Sequence, residues 1–201
     1  MLAVFVVSRI PGLMPANFSA AYALAFCAGL YFPGARAWLL PLTVMLVTDL
    51  GLDCYYHFGQ GWDVFNTVTL VYLLGNYVAY GGLIWLGRRF KARDSWLALL
   101  GGGILGALLF YVITNTLSWF LNPFHNPEYT KTVVGWLIAL FKGTAGYPQT
   151  WEFFRNTLLS GGLFTGLFVG AMKLTAAESP QEKGEQEEGA DHEPAPEEAK
   201  A

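Results

Sequence analysis

The chain is built from apolar runs about as long as a bilayer is thick, and this constrains its fold more than any other feature. A helix needs about 20 mostly apolar residues to cross the hydrocarbon core, where irregular backbone survives only if protein or a cavity surrounds it. Five stretches come near that length: 17–32, 37–57, 63–86, 95–121 and 149–174. A sixth, 1–10, covers about 15 Å at the helical rise before Pro11 and Gly12 break it. It reads either as a half-span packed on its neighbours or as a full span whose start is set too late. It lacks the basic start and small-residue cleavage site of a secretory leader.

The expected fold is therefore an all-α, polytopic membrane bundle of about six helices, the first one short. With 54% hydrophobic and 13% charged residues, the chain is too apolar and charge-poor for an ordinary soluble domain. Its charge is unevenly spread. Residues 1–175 carry a net +4 and residues 176–201 a net −7, which together give the chain's −3. The first segment is read as the transmembrane helical domain. The second, made mostly of Glu, Asp, Lys, Gln, Gly and Pro, has too little apolar surface to offset its ordering entropy and reads as a disordered acidic tail.

Lys and Arg of short loops stay on the cytoplasmic side. The cluster Arg88, Arg89, Lys91 and Arg93 should lie inside, which makes the tail cytoplasmic and the 122–148 connection external, in the inner membrane of a bacterium. Within that connection 132–141 is apolar but too short to span, as expected of an interfacial helix or lid. Cys27 and Cys54 sit in apolar runs and read as small hydrophobes.

Polar groups are costly in a membrane helix, so their positions are informative. Asp49, Asp53 and His57 recur every four residues, on one helical stripe. Asp49 lies about 18 Å from the inner end, slightly past the midplane. Thr69, Tyr72, Asn76 and Tyr80 form a second stripe. Thr114, Asn115 and Ser118 gather late in the fifth run, and Glu152, Arg155 and Asn156 early in the last one. All fall toward the external half, which points to a solute pocket open to the outside. The competing reading pairs these groups with each other, Glu152 with Arg155 at i,i+3 first of all, and uses Asn and Ser as packing glue.

Small residues at i, i+4 spacing suggest close helix approach: Gly102 with Gly106, Gly162 with Gly166 and Gly170, and Ala21 with Ala25. No nucleophile motif, zinc motif, Cys-x-x-Cys or phosphate loop occurs, so no catalytic residue, metal or cofactor is expected, and nothing suggests nucleic acid. Any energy for transport must come from a partner or an ion gradient.

The run Pro15-Ala16-Asn17-Phe18-Ser19 before Ala20 to Gly29, the segment Met45 to Leu50 after Pro41, Thr114-Asn115, Gly146-Tyr147-Pro148 and Phe153 to Leu158 resemble, in order, a family of small bacterial membrane proteins described as uncharacterised transport proteins. That family is in turn similar in size and helix layout to the substrate-binding S components of energy-coupling factor transporters. The resemblance implies six helices, a solute site near the outer surface, and docking of a transmembrane coupling subunit with ATPases through small residues such as Ala21 and Ala25. Ser160-Gly161-Gly162 stands where the resemblance leads one to expect an acid, so the ligand here would differ.

The expected function is transport, with a small solute bound by Asp49, Asp53, Tyr72, Asn76, Asn115, Glu152, Arg155 and Asn156. Two alternatives belong to other classes: an assembly subunit whose polar stripes meet a partner protein, and a lipid-modifying enzyme using Asp49 or Glu152 with His57.

Overall fold

The structure, a computed structural model, describes residues 1–190, with 177–190 as helix backbone alone. Among the described residues there are seven helices and no strand: α1 (Leu2–Ser8), α2 (Ala21–Tyr31), α3 (Arg36–Cys54), α4 (Thr67–Gly87), α5 (Trp96–Leu121), α6 (Val133–Phe141) and α7 (Thr150–Ala190). A π-helical turn, Tyr55–Gly59, continues α3. Four of these are long and apolar enough to cross a membrane: Arg36–Gly59, Thr67–Gly87, Trp96–Leu121 and Thr150–Ala176. Large side chains such as Leu39, Val78, Leu97 and Leu174 are exposed on them, as expected where the solvent is lipid rather than water.

The first two runs differ from expectation. The 17–32 stretch is helical over eleven residues, about 16 Å at the helical rise, which is half a membrane. It is enclosed: Ala20 to Ala28 are buried on every side, among α3, α4, α5 and α7. α1 is shorter still, and the two join end to end where the Ala20 backbone N–H donates to Ser8 Oγ at 3.1 Å. Residues 9–19 between them are irregular backbone, most of it exposed, and nearly all of them line a cavity. Irregular backbone within a membrane is tolerated where it lines a cavity.

Close packing of α2 depends on glycine. A Cβ at Gly29 would stand 2.1 Å from the Ile84 carbonyl oxygen, and one at Gly87 would stand 2.1 Å from that of Phe26. In the α5–α7 approach the expected α7 stripe holds, with Gly162 against Ile104, Gly166 against Trp96 and Leu100, and Gly170 against Trp96. The α5 residues that meet α7 differ from those expected. Gly103 receives the Thr165 side chain and Gly161 the Ala107 methyl, whereas Gly102 lies under the rings of Phe26 and Phe90 and Gly106 under Leu83. Three consecutive glycines, 101–103, offer three faces, and the spacing alone does not say which face meets α7.

α7 continues as helix past the expected domain boundary at 175, through Ala190. Adding a residue to an existing helix fixes one residue per hydrogen bond and avoids the cost of nucleation, so a polar segment with no core of its own can extend a span. The rest of the expected disordered tail, 191–201, lies outside the described residues.

Candidate functional site

The site begins with charge. Arg9, just past α1, forms an ion pair with Asp49 through Nη2 and Oδ1, and the two side chains are 21% and 15% exposed. The other Asp49 oxygen accepts from the Tyr77 hydroxyl of α4 at 3.1 Å. Asp49 is thirteen residues into α3, about 20 Å along its axis, so the pair sits deep in the bundle. Arg9 Nε is buried with no hydrogen-bond partner.

Beside Arg9 opens a chamber of about 450 Å³. Its floor is the 9–19 segment, and its walls come from the α4 stripe Tyr72, Asn76 and Tyr80, from Thr114, Asn115 and Ser118 of α5, and from Tyr22 and Phe110. The i, i+4 spacing on α4 aims three side chains into one space. The floor is fastened from both sides: Tyr22 donates to the Asn17 carbonyl at 3.1 Å, and Asn156 Nδ2 donates to the Ala16 carbonyl at 2.9 Å. Asn17 holds a left-handed φ of 59°, which Asn tolerates better than most residues. Thr114 and Asn115 turn hydrogens back onto carbonyls of their own helix, which leaves the Asn115 carbonyl oxygen for the chamber. Asn76 and Tyr80, both in the wall, have no hydrogen-bond partner among the described residues.

A second chamber, about 560 Å³, lies toward α6 and shares Tyr72, Asn115 and Ser118 with the first. It is roofed by residues of the connections on either side of α6, among them Phe124, Tyr129, Thr144 and Tyr147. The Tyr72 hydroxyl and Ser118 Oγ share a hydrogen bond of 3.0 Å at the junction, and the Phe124 ring stacks on Tyr72 with centroids 5.6 Å apart. The roof is held by Trp119 Nε1 donating to the Thr130 carbonyl, Trp136 Nε1 donating to Thr116 Oγ1, and Lys131 donating to the carbonyls of Trp119 and Phe120 at the end of α5. A cation there also suits the helix dipole. Burial, with Tyr72 and Glu128 close by, pushes the Tyr129 phenol above its ordinary range, so this wall is uncharged near neutral pH.

Of the residues singled out in the sequence, Tyr72, Asn76 and Asn115 meet in the deep chamber, and Asp49 stands behind it, bound to Arg9. Asp53 faces a separate groove with Leu50, Val64 and Phe65. Asn156 supports the floor from outside. Glu152 occupies the first turn of α7, where the helix dipole favours an acid. Arg155 lies over the Trp151 ring at 5.5 Å, and it forms no ion pair with Glu152 among the described residues. His57 Nδ1 is bonded to the Trp62 carbonyl at 3.0 Å. Ala21 and Ala25 are enclosed in the core, so their smooth face serves packing inside the bundle and offers a partner no surface in this conformation. Ser160 is buried and donates to the Thr157 carbonyl.

Arg9 is the residue that sequence reasoning missed. Its signal is a lone cation between a seven-residue apolar helix and a Pro-Gly break, which reads as a membrane boundary until the chain is folded.

The fold and chambers define an all-helical membrane protein with a polar interior space between its spans. Residues 1–182 match the model of DUF6580, described as a family of unknown function, and the chain belongs to that family. No curated protein and no solved structure matches the chain.

Proposed function

We propose that the protein is a small membrane transport protein that captures a small solute in the deep chamber. The observation that carries this reading is the chamber itself, about 450 Å³ deep among apolar helices and walled by amides, phenols and a guanidinium. A buried polar group left without a partner costs about 1–3 kcal/mol. In the wall, Arg9 Nε is buried without a partner, and the unpartnered groups of Asn76 and Tyr80 stay reachable from the chamber, where water or a solute can satisfy them; the volume is that of a small-molecule site. The second chamber supplies a route from the α6 end of the bundle.

Orientation in this reading follows the basic cluster, with Arg88, Arg89, Lys91 and Arg93 facing the cytoplasm of a bacterium and the C-terminal segment on the same side. The 122–149 connection is then external and covers the route in. A role like that of an S component adds a coupling subunit with ATPases, and such a subunit must dock on a face other than that of Ala21 and Ala25, which are enclosed.

Native mass spectrometry of protein purified from its own membranes tests the reading. A retained small molecule is expected on the wild type and absent from Asn76→Trp, which fills the chamber at a position that gives up no hydrogen bond. Equal retention, and equal uptake, by wild type and Asn76→Trp overturns it.

A further inference from the structure

Among the described residues that line the two chambers, the only ionised side chain is Arg9. Its counter-ion, Asp49, is not in the wall. It sits behind the guanidinium, held by Tyr77 on its far oxygen. From the inside, the space therefore presents a cation, with neutral phenols, amides and rings around it. A guanidinium carries five donors in a fixed fork. Nη2 is the atom that reaches Asp49, Nε is enclosed, and Nη1 makes no hydrogen bond among the described residues and stays accessible. An Arg with spare donors beside a cavity is suited to an anionic group, since charge-assisted bonds to a carboxylate are about twice as strong as neutral ones.

The geometry points to a small organic anion as the solute, a monocarboxylate with an apolar or aromatic body, whose carboxylate binds Arg9 in competition with Asp49. This rests on the transport reading and names its substrate class. A single charge fits better than two. Asp49 already neutralises most of the guanidinium, and Asp53, one turn along α3, is also within electrostatic reach of Arg9. A dianion would face that acid pair with no second cation. The body of the solute meets a largely apolar wall: Phe110 packs on Tyr22 and Tyr80 there, with centroids 4.9 and 5.0 Å apart, and Met14, Phe18 and Leu52 line the same space. Asn76 and Tyr80 supply unused hydrogen-bonding groups along the body. The entrance chamber has no acid in its wall, and the nearest acid in its roof, Glu128, accepts from the Ala145 backbone N–H at 3.2 Å. An anion therefore meets no acid in the entrance wall itself.

The experiment compares acids with their uncharged amides. Purified full-length protein in lipid nanodiscs is titrated calorimetrically with benzoate and benzamide, phenylacetate and phenylacetamide, hexanoate and hexanamide. At least one acid should bind roughly tenfold or more tighter than its amide, the ratio expected for a hydrogen bond to a charged group. Asp49→Asn should strengthen acid binding, because it removes the competitor for Arg9. The double variant Arg9→Gln with Asp49→Asn removes both charges and keeps a polar side chain at each position, and it should reduce the acid preference to within about twofold. Amides that bind as well as or better than acids overturn the inference and leave the solute chamber standing. Binding of neither class brings down the transport reading as well. A double variant that keeps the preference removes Arg9 from recognition.

Discussion

Arg9 and Asp49 are forty positions apart in the chain and become each other's environment only on folding. Removing one partner of a buried pair leaves the other charge unneutralised in a low dielectric, which costs about 3–5 kcal/mol. Arg9→Ala and Asp49→Ala should each destabilise the purified protein by that order in thermal denaturation, whereas Arg9→Gln with Asp49→Asn should lose much less than the sum. An additive double variant would mean that the two charges do not interact. Tyr77→Phe removes one bond to a charged acceptor and should cost about 1.5 kcal/mol. The contrast also marks how far single residues can be read in advance. Asp49 stands out in the sequence as the deepest acid, and the spacing of Tyr72 and Asn76 puts them on one face. The partner of Asp49 does not stand out, because periodicity describes a face and says nothing about which distant residue meets it. Glu152, Arg155 and Asn156 illustrate the same limit: their position near one end of α7 is legible, but that Asn156 would hold the chamber floor and Arg155 lie over Trp151 depends on neighbours from elsewhere in the chain.

α2 is half as long as a membrane is thick and buried on every side, an arrangement that hydropathy alone converts into a span. It fits because α4 approaches it backbone to backbone at Gly29 and Gly87. Gly29→Ala and Gly87→Ala each drive a methyl into a carbonyl oxygen that belongs to a helix and cannot swing away, so each should cost about 1–3 kcal/mol through overpacking. Gly101, with nothing within 4 Å of an added Cβ, is the control: Gly101→Ala should be neutral or slightly stabilising, since alanine is the better helix former by up to about 1 kcal/mol. Equal melting temperatures for all three variants would remove the close approach as the reason α2 sits where it does. The presence of small residues in α5 and α7 is visible in the sequence. The register of those in α5 is not, because Gly102, Gly103 and Gly106 face α2, α7 and α4 in turn, and the choice is made by the shapes of Phe26, Thr165 and Leu83.

In the proposed transport protein, water and solute enter from one end of the molecule and reach in among the spans. Cysteine accessibility tests this directly, because the reactive species is the thiolate, which forms in water and not in lipid. In a background with Cys27→Ala and Cys54→Ala, Asn76→Cys lies nine residues into α4, about 13 Å from the end nearest α6. It faces the chamber, while Val78→Cys, two residues on, is 64% exposed on the outer, lipid-facing side of the bundle. A membrane-impermeant methanethiosulfonate applied externally to whole cells should modify the first and not the second, although both lie at nearly the same depth. Arg93→Cys, in the basic loop at the opposite end, should react only after the cells are opened. With Arg9 as the sole charge among the described residues of the wall, the anionic sulfonatoethyl reagent should modify Asn76→Cys faster than the cationic trimethylammonium reagent of similar size, and added salt should narrow the difference. Equal labelling of positions 76 and 78 would mean that no water reaches the chamber, and a faster cationic reagent would reverse the sign of the field from which the anion inference starts.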